Sequence, residues 1–335
     1  MGRALARLLI AVATLWSVPA LYYFDLRSGL LRAILAAAFA ILGCAVLIAL
    51  SLPRWRTRAL TIFVLTFAAL LAWWSTIAPS NSRDWKPSVA VLPYATFNGP
   101  LITLHNVRNF DYRTESDYTV AYYDETVDLN ELESLDLIAS YWAGPAIAHV
   151  VLSFGFGAGA HIAISIERRD ERNEDYSTIK GLFKQYELIY VVADERDVIR
   201  LRTNVRRDPP EQVYLYRVRG SAENARRLFL EYARKINALR ERPEFYNTLT
   251  TNCTSNIWVH TRVNPGHMPY SWQVLLSGYL PEYLYRHGKL DVSLPFANLQ
   301  HRSLINAAAV AADRAPDFSE RIRAGLPGEG MRISP

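Results

Sequence analysis

Cysteine is scarce in this chain: only Cys44 and Cys253 occur among 335 residues. Two thiols exclude a disulfide-stabilised scaffold and a zinc site built from several thiolates. The motifs of nucleotide, dinucleotide, zinc-peptidase and serine-hydrolase chemistry are also missing, so we expect no cofactor. Acidic and basic residues are interspersed, so the formal net charge of +5 does not indicate a nucleic-acid surface. The fold must therefore rest on the burial of apolar residues, which form 50% of the sequence.

Long apolar runs are confined to the N-terminal part of the chain. Leu8–Phe24, Ala33–Leu52 and Ala59–Ile77 each have about the length that crosses a bilayer as a helix. None of the three runs contains a charged residue. A signal peptide is the alternative for the first run, because Arg3 and Arg7 give it a basic start. Two further runs follow at once, which favours a membrane anchor of three helices.

The charges between the runs predict the orientation of this anchor. The loop Arg54–Arg58 is basic, whereas the connector Asp25–Arg32 mixes acidic and basic residues. The positive-inside rule then places the N-terminus and the loop Arg54–Arg58 in the cytoplasm. Three crossings leave everything after Ile77 outside, which in a bacterium is the periplasmic side of the inner membrane.

The chain therefore divides into an anchor and a soluble part. We expect residues 1–84 to form the three-helix transmembrane anchor and its linker, and residues 85–335 to form one periplasmic domain. Trp73 and Trp74 end the third run and are placed to lie in an interfacial aromatic belt. Membrane lipid is the partner that this arrangement implies, and the oligomeric state is open.

The soluble part has the pattern of an α+β domain, an antiparallel sheet with packed helices. The segments with strand periodicity are Ser88–Leu92, Tyr118–Tyr123, Ala146–Phe156, Ala160–Arg168, Tyr186–Ala193, Val198–Thr203 and Val213–Arg217. The segments with helical periodicity or caps are Tyr176–Tyr186, Ala222–Arg240 and Cys253–Arg262. Gly157–Gly159 separates two of the strands and predicts a hairpin.

Cys253 is the candidate nucleophile. Thr250–Asn252 offers N-cap side chains, so the cysteine would lie in the first turn of a helix. A helix N-terminus carries free N–H groups and partial positive charge, which predicts a lowered thiol pKa. Cys44 lies in the second apolar run, so Cys253 has no disulfide partner. The alternative is a small buried residue without catalytic use.

Two histidines of the predicted hairpin are candidate bases for this thiol. If the turn is centred near Ala158, residue 149 stands opposite residue 167, so His149 would face Glu167. A carboxylate that orients an imidazole is the pair that nucleophilic catalysis requires, and a surface ion pair is the alternative. His161 on the second strand is the alternative base. His260 lies two helical turns beyond the cysteine and is too distant.

Donors for an oxyanion are available near the cysteine. They are the backbone N–H of Cys253 and the side-chain amide of Asn252 or of Asn247. These assignments rest on position in the sequence alone.

Two segments, 167–172 and 194–202, are rich in acids and arginines. We interpret them as salt-linked structural arms. The alternative is a site in which Arg200, Arg202 or Arg206 holds the phosphate of a lipid headgroup.

Several motifs together resemble a bacterial envelope family. They are His149, Ser153–Phe156, Ser165–Glu167, Gln185–Tyr190, Glu195–Asp197, Phe245–Thr248 and Asn252–Thr254. This set resembles the family named for the N-terminal periplasmic domain of the lipoprotein N-acyltransferase Lnb, over roughly residues 100–300. The block from Tyr246-Asn247 to Asn252-Cys253-Thr254 is its most specific part.

The resemblance implies a papain-like fold of the NlpC/P60 type in permuted order, with the histidine strand before the cysteine helix. It implies acyl transfer with Cys253 as nucleophile and His149 as the histidine at the start of a strand. A phospholipid donor and a lipoprotein N-terminal amine are the substrates it suggests. Ile147-Ala148-His149 stands where acyltransferase members have Phe-Gly-His. A cysteine peptidase or amidase, or a non-enzymatic membrane-anchored scaffold, are the alternatives.

Overall fold

The computed structural model describes residues 2–24, 28–175, 177–330 and 333. Asp25, Leu26 and Arg27 of the predicted connector lie outside these ranges, as does Tyr176, the first residue of a predicted helix. The chain forms two compact units. The first is Met1–Ser80 with Asp175–Glu187 and Phe245–Thr248, and the second is Asn81–Glu174 with Leu188–Glu244 and Leu249–Pro335.

The first unit contains three long helices, α1 (Gly2–Tyr22), α2 (Gly29–Ala49) and α3 (Pro53–Thr76). All three are long and apolar enough to cross a membrane, as predicted. Each begins about a turn or more before the predicted apolar run, because charged and capping residues extend a helix beyond the hydrocarbon. Ser28 caps α2 by accepting the backbone N–H of Leu31, and Pro53 occupies the first turn of α3.

The second unit is built on a mixed sheet. The strands are β1 (Tyr94–Asn98), β2 (Leu101–Arg108), β3 (Asp111–Tyr112), β4 (Tyr118–Thr119), β5 (Tyr122–Asp128), β6 (Leu132–Tyr141), β7 (Ala148–Phe156), β8 (His161–Arg169), β9 (Glu187–Ala193) and β10 (Gln212–Arg217). Seven strands follow the order β1-β2-β9-β8-β7-β6-β10, and β5 also pairs with β2. The predicted α+β class is confirmed, but the sheet is not wholly antiparallel because β2 and β9 run parallel.

Helices cover both faces of this sheet. They are α4 (Glu195–Arg200), α5 (Ala222–Glu241), α6 (Cys253–Thr261), α7 (Trp272–Leu275), α8 (Leu280–Arg286), α9 (Phe296–Arg302), α10 (Asn306–Ala311) and α11 (Phe318–Arg321). On one face Phe154 of β7 packs against Phe229 and Tyr232 of α5. On the other, Val151 belongs to a buried cluster with Phe318 of α11. Alternate residues of β7 thus serve opposite layers.

The β7–β8 hairpin has the predicted register. Val151 pairs with Ser165, and Gly155 pairs with His161. This is the alignment of the two strands that was predicted by placing residue 149 opposite residue 167. A 3₁₀ turn at Gly157–Gly159 joins the strands, where the hairpin turn was predicted. The helices after Ser221 and Asn252 also begin where the caps predicted.

Three strand or helix predictions are wrong. Ser88–Leu92 is not a strand but holds the 3₁₀ turn Pro87–Val89, which begins at a proline that cannot donate to a ladder. Val198–Thr203 is not a strand either. Asp194 caps α4 there, and a π-helical turn at Leu201–Val205 follows, with the apolar residues in the core. Among the described residues of Tyr176–Tyr186 only Lys180–Leu182 is helical, as one 3₁₀ turn.

Four strands, β1, β2, β3 and β6, lie outside the segments predicted as strands, and one predicted strand is divided. β1 and β2 have exposed polar residues among their apolar ones, so their alternation is weak in sequence. Tyr118–Tyr123 contains β4 and the start of β5, separated by an irregular pair of residues.

Candidate active site

Cys253 is the first residue of α6, as predicted. The side chain of Asn252 caps this helix by accepting the backbone N–H of Ser255 at 2.8 Å. Only 9% of Cys253 is exposed. The backbone N–H groups of Val150, Thr254 and Cys253 itself lie close enough to the sulfur to favour its thiolate. Three peptide groups from two elements therefore surround one sulfur atom.

The acidity of this thiol differs in sign from the prediction. Burial raises the pKa of Cys253, and it outweighs the three N–H groups and the more distant charge of Arg202, which favour the thiolate. The expectation of a lowered thiol pKa is therefore wrong, because the helix N-terminus lies under the sheet instead of in water. The resting form at neutral pH is the thiol.

The sulfur lies at the open end of the β7–β8 hairpin, which we call the hairpin mouth. The ladder between the two strands ends at the pair Val151 and Ser165. Val150 lies one residue beyond that pair, and its N–H is near enough to the sulfur to favour the thiolate. His149 is the next residue along β7. The fold thus brings the predicted nucleophile and the predicted base to one end of one hairpin.

A serine connects His149 to Glu167. The Nε2 atom of His149 lies 2.7 Å from the hydroxyl oxygen of Ser165, and that hydroxyl donates to Oε1 of Glu167 at 2.7 Å. Nε2 of His149 is 3.6 Å from the same carboxylate oxygen. Because the serine gives its hydrogen to Glu167, its oxygen must accept the hydrogen of Nε2. The imidazole therefore carries its proton on Nε2 and its lone pair on Nδ1.

The charges around this group keep the imidazole neutral. Burial lowers the pKa of His149 to about 3, assisted by the guanidinium of Arg202. Burial disfavours the Glu167 carboxylate, but the interaction with His149 and the positive charge of Arg202 still lower its pKa to about 2. At neutral pH the carboxylate is ionised, so it can stabilise a proton that reaches the imidazole.

The arginines of this region are engaged in ion pairs. Arg202 is 7% exposed and contacts Glu211 at 3.2 Å and Glu167 at 3.6 Å. Arg200 is 6% exposed and contacts Asp313 at 2.7 Å. These contacts confirm the interpretation as salt-linked arms. Both guanidinium groups are buried and paired, and the alternative role of Arg200 and Arg202 as headgroup ligands stays a prediction.

Two other histidines, His161 and His260, make separate contacts. His161 pairs with Gly155, which lies about 17 Å along β7 from Val150, and its Nδ1 contacts the carbonyl oxygen of Gly159. His161 is therefore too far from the hairpin mouth to act there. His260 is buried and its Nε2 lies 2.8 Å from the hydroxyl of Tyr190, in agreement with the structural role predicted for it.

The two asparagines predicted as oxyanion donors have other contacts. The Oδ1 atom of Asn252 accepts from the backbone of Ser255 and from the hydroxyl of Thr254. The Nδ2 atom of Asn247, in the first unit, donates to the carbonyl oxygen of Leu182 at 3.4 Å. Their oxyanion role stays a prediction, and the backbone N–H of Cys253 is the predicted donor that favours the thiolate.

Two cavities of the second unit adjoin this region. An apolar cavity of about 160 Å³ lies along α6 and is lined by Thr254, Ile257, Leu228, Val274 and Leu280 among others. A polar cavity of about 430 Å³ is lined by Glu167, Arg202, Arg206, Arg108 and Tyr112 among others. Across the ranges that the structure describes, no three histidine, cysteine or acidic side chains are grouped as metal ligands.

Ser165 is the site residue that sequence reasoning missed. The signal was present, since Ser165 and Glu167 are two residues apart on one strand and so share a face. What the sequence did not reveal is that the imidazole would reach the hydroxyl before the carboxylate.

Comparison with known proteins supports the resemblance. Residues 118–278 match the family model described as the Lnb N-terminal periplasmic domain. The match spans β4 to the turn before α8 and includes His149, Ser165, Glu167 and Cys253. No curated protein and no solved structure matches the chain. With the three apolar helices, the match describes a membrane-associated envelope protein that carries a periplasmic domain.

Proposed function

We propose that this chain is a thiol enzyme that transfers or hydrolyses acyl groups through a thioester on Cys253. The premise is the match of residues 118–278 to the family model of the Lnb N-terminal periplasmic domain. The observation that carries the proposal is the arrangement at the hairpin mouth. There the N–H of Val150 favours the thiolate of Cys253, and the preceding residue, His149, has its Nε2 proton held by Ser165 and Glu167. Nδ1 carries the lone pair of this imidazole, and we assign to it the role of accepting the thiol proton.

The reaction would begin from a neutral thiol and a neutral imidazole. As the sulfur bonds to the carbonyl carbon of an ester, its proton moves to Nδ1 of His149, and the ionised Glu167 stabilises the imidazolium through Ser165. The ester C–O bond then breaks, and the leaving alcohol takes the proton from the imidazolium. An amine or water next attacks the thioester and gives a proton to Nδ1 of His149; the C–S bond breaks, and that proton passes to the sulfur. The N–H of Cys253 is a donor for the intermediate oxyanion.

The substrates that suit this assignment are a membrane phospholipid as acyl donor and a lipoprotein N-terminal amine as acceptor. The apolar cavity along α6 supports an acyl donor, because Thr254, the residue after the nucleophile, contributes to its lining. We further assign the anchor to the bacterial inner membrane as three spans, and the catalytic fold to a permuted papain-like arrangement in which the histidine strand precedes the cysteine helix.

The decisive experiment is to trap the adduct on Cys253. The full-length protein is incubated in phospholipid vesicles, quenched in acid and analysed by mass spectrometry, with Cys253→Ser and Cys44→Ser as the matched pair of variants. We expect a fatty-acyl mass on the peptide that contains Cys253, absent from Cys253→Ser and retained in Cys44→Ser. Complementation of a host that lacks its lipoprotein acyltransferase should separate the same two variants.

Two other outcomes would redirect the assignment. A peptidyl mass on Cys253 would support a cysteine peptidase or amidase acting on envelope peptide or peptidoglycan. A thiol that forms no adduct and resists iodoacetamide in the folded protein would leave only a membrane-anchored scaffold.

A further inference from the structure

The first unit contains a loop that packs against the ends of two membrane helices. The loop is 177–184, and Phe183 in it stacks on Tyr23, just after α1, at 6.0 Å between ring centres. The Nζ atom of Lys184 donates to the carbonyl oxygens of Trp74 at 2.9 Å and Ile77 at 3.1 Å. The loop is therefore attached to the C-terminal ends of α1 and α3.

Lys184 has the position of a cap for α3. The last carbonyl groups of a helix lack intrahelical donors, and such groups are costly where water is scarce, as at a membrane surface. The ammonium group also lies 5.4 Å from the ring centres of Trp74 and Phe245. Lys184 has a φ of 54°, which is unfavourable for a residue with a Cβ atom. The loop thus holds Lys184 in an unfavourable backbone conformation at the position where its side chain donates to the last carbonyl groups of α3.

The same ends of α1 and α3 carry an aromatic group. Tyr22 contacts Tyr23, and Phe24 packs on Trp73 at 4.3 Å between ring centres. Trp73 in turn contacts Trp74. The opposite ends of these helices carry arginines, Arg3 and Arg54 among them. Tyrosine and tryptophan rings at the end of an apolar span mark the membrane–water interface.

We infer that the loop 177–184 lies in this interface and inserts Ile179 into the lipid surface. Ile179 is 53% exposed, and it is flanked by the exposed Thr178 and by Lys180. An exposed aliphatic side chain beside lysines is the pattern of a segment that rests in the headgroup region. The bilayer is the occupant because the loop packs against the C-terminal ends of α1 and α3, two of the three apolar helices. The inference goes beyond the proposed chemistry and suits a donor drawn from the membrane.

The test measures the depth of the loop in the full-length protein. A Cys44→Ser, Cys253→Ser background receives Ile179→Cys, labelled with an environment-sensitive fluorophore, and is reconstituted in nanodiscs of phosphatidylethanolamine and phosphatidylglycerol. We expect emission to shift to the blue, and spin-labelled lipid to quench it by about twofold, as for a group at the acyl boundary. Thr178→Cys is a second labelled position that leaves Ile179 in place.

Val310→Cys on α10 is the matched control, because Val310 is apolar and 58% exposed but belongs to the second unit. Its label should be quenched little. Equal and weak quenching at residues 179, 178 and 310 would overturn the inference. The readout requires no catalysis, so strong quenching at residue 179 with no acyl adduct on the wild-type cysteine would refute the proposed function and leave the loop assignment standing.

Discussion

Two polar clusters on the same face of the β7–β8 hairpin are built from similar parts. The mouth cluster consists of His149, Ser165 and Glu167. The Arg323 cluster, farther along the hairpin, consists of Ser153, Glu195, Asp136 and Arg323. In each cluster a fully buried serine donates to a glutamate, at 2.7 Å in the mouth cluster and at 2.5 Å in the Arg323 cluster. Because the two clusters share a face of the hairpin and a serine-to-glutamate hydrogen bond, their different roles can be traced to the one partner in which they differ.

The difference lies in the third partner of each cluster. Arg323 donates to both oxygens of Glu195, at 2.7 and 2.6 Å, and to Asp136 at 2.9 Å, so charge is balanced by charge. In the mouth cluster the serine instead accepts from a neutral imidazole. A guanidinium keeps its protons at every physiological pH, whereas an imidazole can exchange one. The comparison therefore separates a cluster that stabilises the fold from one suited to proton transfer.

The largest effect on stability is expected in the Arg323 cluster. Arg323→Met leaves the buried carboxylate of Glu195 without its cation and Asp136 with Arg217 alone, and we expect the free energy of unfolding to fall by about 3 to 5 kcal/mol. Chemical unfolding of the full-length protein in detergent measures it. The amount of acyl adduct per folded molecule should not change.

Arg321→Met is the control for that variant. Arg321 is the last residue of α11, two residues before Arg323; its side chain is 57% exposed, and it pairs with Asp317 at 2.8 Å. We expect a loss below about 1 kcal/mol, as for exposed ion pairs. If Arg323→Met were as mild as Arg321→Met, the Arg323 cluster would not be a stabilising element.

The largest effect on chemistry is expected at the mouth. His149→Gln removes the proposed base, and we expect the rate of adduct formation on Cys253 to fall by about a hundred- to a thousandfold. His161→Gln, at the other end of the hairpin, should change the rate by less than about twofold, since a group some 17 Å away cannot take the proton. Time-resolved mass spectrometry of the adduct measures both. Equal losses in the two variants would contradict the assignment of His149.

Part of the mouth cluster could be predicted from the sequence, whereas the Arg323 cluster could not. The glycine turn and the strand alternation predicted the hairpin and its register, so His149 and Glu167 could be paired in advance. Ser221 and Asn252 predicted helix starts because capping is local. The Arg323 cluster could not be predicted, since its members come from β6, β7, α4 and the segment after α11. The raised pKa of Cys253 could not be predicted either, because burial under a sheet depends on the whole fold.

Acid should destabilise the two clusters in different pH ranges. Burial lowers the pKa of His149 to about 3, below the value of about 6.5 in an unfolded chain. Below pH 6.5 the unfolded chain therefore binds a proton that the folded one does not, and stability is lost as the pH falls from 6.5 toward 3. The pKa of Glu195 is about 2, because Arg323 overcomes the effect of burial, so its contribution is lost from about pH 4.5 downward.

His149→Gln should remove the first of these losses. Between pH 7 and pH 4 we expect the variant to lose about 2 to 3 kcal/mol less of its unfolding free energy than the wild type. Unfolding curves of both proteins at the two pH values give this difference. Parallel curves would mean that the imidazole is not held neutral at the mouth.

The smallest expected effects follow from removing the hydroxyl of Ser165 or of Ser153, which compares the two clusters directly. Ser165→Ala and Ser153→Ala each remove one buried hydroxyl that donates to a glutamate, so both should lower the unfolding free energy by about 1 to 2 kcal/mol. Only Ser165→Ala also releases the Nε2 proton of His149, so it alone should slow adduct formation, by about tenfold, and alter its pH profile. Ser165→Thr, which keeps a hydroxyl, should restore part of the rate. Equal rates in the two alanine variants would show that the mouth cluster, like the Arg323 cluster, serves only the fold.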